Sequence, residues 1–307
     1  MSCRSYSIYV MTLDIVAGSS LPGMALDIAQ SLGAKAHFPK VERFPDGETH
    51  VVAPKVGETV VYVQTMHPYP NEMLVEAEIT VDLLREMGAK RVIAVMPYLA
   101  YTRQDTKHED GESVSVKAML RMLESAGVND IVSVDIHLHR LGLADLSAMT
   151  SIRMHEVSAV DPLAKEAGKF LSKPIVVGPD AESERWAKHA AELLDSHYDV
   201  LEKRRISPTE IEIKPKSLDV KGRDVLIIDD IVSTGGTIKQ VIESLRALGA
   251  NKIMAAFTHG VLSDEDAAAA LYRAGATYLV STNTINNEFS RVDISPVIAQ
   301  KLREMLR

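Results

Sequence analysis

Residues 225–237 read VLIIDDIVSTGGT, and the interpretation of the whole chain starts from this stretch. Four apolar residues at its start, three of them β-branched, predict a short buried strand. Two carboxylates, Asp229 and Asp230, come directly after that strand. A turn of small residues at 233–237 then leads into a segment with apolar residues at helical spacing, namely Ile238, Val241, Ile242, Leu245 and Leu248. The pattern predicts a strand, a glycine turn and the start of a helix.

This order of elements is typical of an anion site. Glycines let backbone N–H groups approach a phosphate closely, and the N-terminus of a helix adds partial positive charge. The turn carries no lysine and the chain contains no Walker motif, so a nucleotide-binding P-loop is not indicated. Two acids beside a phosphate cradle suit a ligand with adjacent hydroxyls and a phosphate, which is a sugar phosphate. The alternative is a Ser/Thr-capped turn with two solvated acids.

The same stretch resembles the phosphoribosyl-diphosphate (PRPP) binding signature of type I phosphoribosyltransferases. Its IIDDI-x-STGGT wording is similar to that of PRPP synthetases. In that family the paired acids hold the ribose 2- and 3-hydroxyls, and the turn holds the 5-phosphate. The resemblance implies a ribose 5-phosphate site formed by Asp229, Asp230, Ser233, Thr234, Gly235, Gly236 and Thr237.

The composition is that of an ordinary soluble globular protein, with 307 residues, 46% hydrophobic and 25% charged. The formal net charge is −8, so no electrostatic footprint for nucleic acid is visible. No apolar run approaches the length of a membrane span, and residues 1–10 lack the long apolar core of a signal peptide. Cys3 is the only cysteine, which excludes a disulfide framework within the chain. We expect a cytoplasmic protein.

An internal repeat indicates two similar domains. Residues 84–95, LREMGAKRVIAV, have a near-copy in residues 245–256, LRALGANKIMAA, 161 positions further along. We expect an α/β protein with two duplicated type I phosphoribosyltransferase-like domains, each a mainly parallel sheet flanked by helices, at residues 1–153 and 154–307. In the first half the strand Val60–Gln64 is followed by TMHPYP, without acids or glycines. Only the second half keeps the sugar-phosphate cradle.

Two segments of the first half are candidates for ATP binding. PYLAYTRQD at 97–105 follows a predicted strand, and ligands of open α/β sheets gather at the carboxyl ends of strands. It resembles the segment in which PRPP synthetases contact ATP through an Arg-Gln pair, which corresponds to Arg103 and Gln104 in this chain. RFPDGE at 43–48 contains a hairpin signal and resembles the family segment that reaches a neighbouring subunit's ATP site. The resemblance implies that Phe44, Asp46 and Glu48 act in trans, within a homo-oligomer.

A metal site is indicated after the next strand. Residues 135–139 read DIHLH, and two histidines on one face of an extended chain can bind a metal, although such pairs are often structural. The resemblance favours Asp135 and His137 as metal and ATP contacts and gives no role to His139. It adds Asp180 of the GPDAES loop, where many relatives have glycines and this chain has Ala181, Glu182 and Ser183. Mg²⁺ is the expected cofactor.

Three adjacent cations end the run YDVLEKRR at 198–205. A second alternating segment follows after a polar link, which predicts a hairpin-like flap, while an exposed charge run is the usual alternative. The LEK-x-R-x-SPTEI wording resembles the catalytic flexible loop of PRPP synthetases, closest to the archaeal-type branch. The resemblance implies that Lys203 and Arg205 stabilise the transferring group, and it leaves Arg204 without a role.

Together these resemblances imply a ribose-phosphate diphosphokinase with ATP and ribose 5-phosphate as substrates. It would transfer the β,γ-diphosphoryl group of ATP to the 1-hydroxyl of the sugar, with His137 orienting phosphate or metal. One alternative is a phosphoribosyltransferase, which needs the cradle but neither the 43–48 segment nor the flap. The other is a non-catalytic regulatory relative with the same fold.

Overall fold

A computed structural model describes residues 13–107, 109–205, 211–214 and 219–307, and only the backbone of 202–205 and 211–214. The first half begins with a six-stranded parallel sheet in the order β2-β1-β5-β6-β7-β8. Its elements are β1 (Leu13–Ala17), α1 (Pro22–Leu32), β2 (Lys35–His37), β3 (Lys40–Arg43), β4 (Thr49–Val52), β5 (Thr59–Val63), α2 (Pro70–Glu86), β6 (Arg91–Val95), α3 (Ser115–Ala126), β7 (Asp130–Val134), α4 (Leu143–Met149) and β8 (Arg153–Val157).

The second half repeats this plan with the order β10-β9-β13-β14-β15-β16. Its elements are α5 (Val160–Ala167), β9 (Ile175–Gly178), a 3₁₀ turn (Ala181–Ser183), α6 (Glu184–Leu193), β10 (Tyr198–Val200), β11 (Glu202–Arg205), β12 (Ile211–Lys214), β13 (Val225–Val232), α7 (Gly236–Ala247), β14 (Ile253–Gly260), α8 (Ala267–Ala274), β15 (Tyr278–Thr282), β16 (Ser290–Val292) and α9 (Ser295–Met305). The predicted duplication is therefore visible strand by strand.

The register of the two sheets identifies equivalent positions. Val60 pairs with Val92 in the first sheet, and Val225 pairs with Ile253 in the second. Since Val92 and Ile253 are matched in the internal repeat, β5 and β13 are equivalent strands. Counting along them, Gln64 occupies the position of Asp229, and Thr65 occupies that of Asp230.

Each half also carries a small antiparallel hairpin after its edge strand. The β3–β4 hairpin follows β2, and the β11–β12 hairpin follows β10. The turn Asp46–Gly47 lies between β3 and β4, with Gly47 at a φ of 96°, in agreement with the hairpin signal in the sequence. The predicted flap is likewise a hairpin, with Lys203 paired to Ile213 through the backbone.

Helices α1, α5, α6 and α9 contribute to one apolar core together with residues of both sheets. Helices α2, α3 and α4 cover the other face of the first sheet, and α7 and α8 cover that of the second. Helix α9 packs on α1, so the end of the chain is fixed against the first half. This shared core places the two sheets in a defined relation to each other, which is what a site between them requires.

The predicted division of the domains after residue 153 falls at the start of β8. That strand pairs with β7 in parallel from Arg153 to Val157, so it belongs to the first sheet. The change of sheet lies four residues later than predicted, because the apolar pattern did not reveal this short and half-exposed edge strand.

Among the described residues, none of the helices is long and apolar enough to span a membrane.

Candidate active site

The end of β13 differs from its prediction in one useful respect. The strand does not stop before the acids but continues through Asp229 and Asp230 to Val232. Both carboxylates are therefore held on extended backbone, pairing with β14 as far as Gly260. Asp230 is buried, whereas Asp229 is partly exposed. A strand fixes the directions of these side chains more rigidly than a loop would.

The turn at 233–237 leads directly into α7, as predicted. Gly235 precedes the helix with a φ of 78°, a left-handed conformation that glycine adopts without strain. The backbone N–H groups at the start of α7 have no partners within the helix, which makes this end suitable for an anion. Asp229, Asp230 and the whole turn line one cavity of about 1070 Å³.

The same cavity is lined from the first half by Arg103, His137 and His139. Asp180 and Glu182, from the loop after β9, add further carboxylates to its lining. The structure thus brings Arg103, His137 and Asp180 together with the cradle, although Arg103 and Asp230 lie 127 residues apart in the sequence. A cation and a histidine from one half face a sugar-phosphate type of cradle from the other.

One direct contact joins the two sides of the cavity. The Nδ1 atom of His137 lies 2.7 Å from Oδ2 of Asp230. Burial by itself lowers the pKa of His137, but the hydrogen bond and the negative charge of Asp230 outweigh it and raise the pKa above its usual value. His137 is therefore poised to carry positive charge next to the cradle.

Arg103 also borders a smaller neighbouring cavity of about 180 Å³. Gln104 lies there with Tyr98 and Tyr101, and its Nε2 donates to the carbonyl of Thr106 at 3.0 Å. The two members of the predicted Arg-Gln pair therefore differ in position: Arg103 lines both cavities, as His137 does, whereas Gln104 lines only the smaller one.

Asp135 is placed differently from what its predicted metal role requires. It is buried outside the cavity lining, and its carboxylate accepts hydrogen bonds from Trp186 Nε1 at 3.0 Å, from Ala159 N at 2.9 Å and from Thr258 Oγ1 at 2.7 Å. Because both carboxylate oxygens accept protein donors, Asp135 fastens β7 to the second half. Of these two residues, His137 lines the cavity and Asp135 does not.

Asp105, for which no role was predicted, positions the loop that carries the histidines. Its Oδ2 accepts from the backbone N–H groups of His139, Arg140 and Leu141 at 2.9, 2.8 and 3.1 Å. Burial raises the pKa of this carboxyl, but the three backbone donors prevail and hold the pKa below its usual value. The sequence carried no signal for this role, because the burial of Asp105 is visible only in the structure.

The loop after β9 is closed by its own polar groups. Asp180 Oδ1 accepts from Ser183 N at 3.3 Å, and Ser183 Oγ donates to the Asp180 carbonyl at 2.6 Å. These bonds form the 3₁₀ turn at Ala181–Ser183 and hold Glu182 on the cavity side. Ser183 thus stabilises this loop.

The hairpin residues predicted to act in trans lie away from the cavity lining. Phe44 is half exposed, and its ring lies 5.3 Å from that of His50 on the same hairpin. Neither Phe44, Asp46 nor Glu48 lines either of the two cavities. In a single chain these residues do not meet the cradle.

The side chains of Lys203 and Arg205 lie outside the described residues, so their roles stay predictions. Their backbone belongs to β11, which begins one residue after Leu201. Leu201 lines the cavity with the preceding residues Tyr198, Asp199 and Val200, all of which the sequence left without a role. The hairpin is therefore attached at the border of the site.

Comparison with known proteins now defines the class. The model of the N-terminal domain of ribose phosphate pyrophosphokinase matches residues 13–127, and that of the phosphoribosyl transferase domain matches residues 157–292. The chain is thus a protein of two phosphoribosyltransferase-like domains, as the sequence predicted.

Whole-chain relatives define the family. The ribose-phosphate pyrophosphokinase of Methanopyrus kandleri is 39% identical over 91% of this chain and 94% of its own length. That of Thermococcus kodakarensis is 39% identical over 88% and 94%. The crystal structure of phosphoribosylpyrophosphate synthetase from Mycobacterium smegmatis superimposes with a TM-score of 0.82 at 30% identity, covering 96% of this chain and 99% of that one. The chain belongs to the ribose-phosphate pyrophosphokinase family, a family of diphosphokinases, and the family predicted from the sequence is confirmed.

Proposed function

We propose that this protein is a ribose-phosphate diphosphokinase that converts ATP and ribose 5-phosphate into PRPP and AMP. One observation carries the proposal: Arg103 and His137 of the first half line the same cavity as Asp229, Asp230 and the phosphate-type turn of the second half. A protein that only binds a sugar phosphate has no need of the first-half residues. A second, charged substrate next to the sugar accounts for them.

In this reaction the 1-hydroxyl oxygen of the sugar attacks the β-phosphorus of ATP. The new O–P bond forms as the bond from that phosphorus to the α,β-bridging oxygen breaks, AMP leaves with the electron pair, and the hydroxyl proton is released. Such transfers depend on positioning and on neutralising charge more than on covalent help from the protein. Asp229 and Asp230 would hold the ribose hydroxyls, and Ser233, Thr234, Gly235, Gly236 and Thr237 would hold the 5-phosphate.

Arg103 would bind phosphate oxygens of ATP, for which its planar guanidinium is well suited. Gln104 would contact ATP from the smaller cavity. His137, whose pKa Asp230 raises, would present positive charge to a phosphate or help to orient a metal. Lys203 and Arg205 would close over the transferring group from the hairpin.

Mg²⁺ is the cofactor we propose, since the acid-rich lining fits a hard cation that prefers oxygen ligands. Of the predicted metal ligands, Asp180 and His137 line the cavity, whereas Asp135 lies outside its lining and both of its carboxylate oxygens accept protein donors. Bound Mg²⁺ supplies neutralisation of the negative charge on the phosphates.

The deciding experiment is to incubate the protein with ATP, Mg²⁺ and ribose 5-phosphate and to quantify AMP, ADP and PRPP. Equal amounts of AMP and PRPP, both dependent on ribose 5-phosphate, are expected. A phosphoribosyltransferase would instead release diphosphate from PRPP when given a base, and a regulatory relative would turn over neither. Either result would overturn the proposal.

We further propose a cytoplasmic homo-oligomer in which the β3–β4 hairpin supplies Phe44, Asp46 and Glu48 to a neighbouring subunit's ATP site. The exposed Phe44 and the distance of this hairpin from its own cavity support that arrangement. Sedimentation together with activity measurements tests it: specific activity should fall on dilution as the oligomer dissociates. A fully active monomer would contradict it.

A further inference from the structure

We propose that His137, His139 and Glu182 form a binding site for a borderline-soft divalent ion of the Zn²⁺ type, bridging the two halves at the cavity wall. Each of these residues can offer one ligand atom such that all three atoms lie within 4.8 Å of one another. The site is distinct in its chemistry from an oxygen-lined Mg²⁺ site, and it rests on binding groups in the free protein, not on the proposed reaction.

The ligand set argues for the class of metal. Imidazole nitrogens suit zinc, copper, nickel and cobalt, whereas Mg²⁺ prefers carboxylate, water and phosphate oxygens. Two histidines and one carboxylate with a position left open is a frequent zinc arrangement. A divalent ion there would be held by three protein groups, with the remaining position open to water or a substrate oxygen.

The distances suit such an ion. His139 Nδ1 lies 3.1 Å from Glu182 Oε1. A tetrahedral ion with bonds of about 2.0–2.1 Å separates neighbouring ligand atoms by about 3.3 Å, so small side-chain rotations would accommodate one between them. The rings of His137 and His139 meet edge to face with centroids 4.6 Å apart, so the two histidines lie side by side at the cavity wall.

Surrounding groups already orient the ligands. Asp230 engages Nδ1 of His137, which leaves Nε2 as the nitrogen available to a metal, in the carboxylate–histidine–metal arrangement common in metalloproteins. Asp105 fixes the backbone of His139, and the closed turn between Asp180 and Ser183 fixes that of Glu182. These contacts reduce the loss of entropy when the ion binds.

The pair His139–Glu182 has no place in the sugar-phosphate and ATP assignments, although both residues line the cavity. His139 comes from the first half and Glu182 from the second, so their contact crosses between the halves. An ion bound to both would tie the histidine loop to the loop after β9. The predicted consequence is a more stable free protein when a Zn²⁺-type ion is present.

The test uses the full-length, tag-free protein after treatment with a chelator, without any substrate. Titration with Zn²⁺ by calorimetry should give one site per chain, and Co²⁺ should give the visible absorption of a tetrahedral complex with nitrogen ligands. Loss of even an outer-shell partner typically lowers metal affinity by about 10–100-fold. His139→Ala and Glu182→Gln, which remove direct ligands, should each lower Zn²⁺ affinity at least as much.

His189→Ala is the matched control, because His189 also lies against a carboxylate, with Nε2 2.7 Å from Asp161 Oδ1, but outside the three-residue cluster. It should keep wild-type affinity. Zn²⁺ should also raise the Tm of the wild type and of the control, but not of His139→Ala or Glu182→Gln. Circular dichroism checks that both variants are folded.

The proposal is overturned if the wild type shows no saturable Zn²⁺ site, or if both ligand variants bind as tightly as the wild type. Displacement of Co²⁺ by an equal concentration of Mg²⁺ would also overturn it, since it would identify an ordinary hard-cation site. Because no substrate is present, failure here leaves the AMP and PRPP assay unaffected, and failure of that assay leaves this one unaffected.

Discussion

The carboxyl ends of β5 and β13 occupy equivalent positions in the two halves and have opposite properties. Gln64 is fully buried, and its Oε1 accepts from Ser20 Oγ at 2.8 Å. Thr65 donates through Oγ1 to the carbonyl of Thr284 at 2.8 Å. At the matching positions of β13, Asp229 and Asp230 line the large cavity. One strand end is closed by hydrogen bonds within the protein, and the other places its carboxylates on the lining of the large cavity.

The difference shows how a duplicated fold divides its work. At the end of β5, the neutral side chain of Thr65 connects the first half to the second. Asp135 and His259 do the same at β7 and β14, where His259 Nε2 donates to the carbonyl of Val134 at 2.8 Å. The first half thus supplies the support and the second charged surface of one shared site.

The largest expected effect on activity comes from the β11–β12 hairpin of the second half. Lys203→Ala and Arg205→Ala should each raise the activation free energy by about 3–4 kcal/mol, because their charges would act mainly in the transition state. This corresponds to a decrease in kcat of roughly 150- to 1000-fold. KM for both substrates should change little. Initial rates of AMP release measure this, with Arg204→Ala as the matched control. Wild-type kcat in both variants would show that these charges are only solvated and take no part in the reaction.

The next largest effect is expected from a substitution of Asp135, which follows β7, and it concerns stability instead of activity. Asp135→Ala removes the acceptor of three hydrogen bonds to a buried carboxylate. Since hydrogen bonds to charged groups contribute about 1.5–3 kcal/mol each and a buried donor left unpaired is costly, we expect the free energy of unfolding to fall by about 3 kcal/mol.

Urea unfolding measures this loss, with the exposed Asp161→Ala as the control, expected within about 0.5 kcal/mol of wild type. If Asp135→Ala instead kept full stability but lost Mg²⁺ affinity, the metal role predicted from the sequence would be correct and the structural one wrong.

The matched strand ends themselves can be compared directly by Asp230→Asn and Thr65→Val. Loss of one charged hydrogen bond to the sugar is worth about 1.5–3 kcal/mol, so Asp230→Asn should lower kcat/KM for ribose 5-phosphate by about 10- to 150-fold. Thr65→Val should leave kcat/KM within about threefold and mainly reduce stability. Steady-state kinetics with ribose 5-phosphate varied at saturating ATP decides. Equal effects of the two substitutions would contradict the division between the halves.

The smallest effect concerns pH and the contact of His259 with β7. Burial lowers the pKa of His259, only partly offset by the charges of Asp230 and Asp135. The neutral ring is therefore favoured in the folded protein, while the unfolded chain takes up a proton as the pH falls below about 6.5. His259 thus contributes stability above that pH that is lost on acidification, with a slope of at most about 1.4 kcal/mol per pH unit.

We expect the stability difference between wild type and His259→Gln to narrow from pH 7.5 to pH 5, as measured by urea unfolding at each pH. The exposed His189→Gln should follow the wild type throughout. If the free energies of unfolding of wild type and His259→Gln changed with pH in parallel, the folded protein would not favour the neutral form of this ring.

The sequence by itself determined the duplication of the two halves and the strand, turn and helix of the cradle, together with the cradle's chemistry. The β-branched run 225–228, the acids Asp229 and Asp230 and the glycine turn specify a strand, two carboxylates and a helix N-terminus through local rules. The repeat at 84–95 and 245–256 revealed the duplication, because a helix, a GA turn and a strand have recognisable local patterns.

Only the tertiary structure decided which polar residues face the cavity and which join the halves. Asp135 and His137 are two positions apart, yet Asp135 is buried under Trp186 and Thr258 while His137 faces Asp230 across the cavity. His139 and Glu182 are 43 residues apart in the sequence and 3.1 Å apart in space. Local patterns carry no information on such pairs, because a side chain's partners depend on how the two sheets pack against their shared core.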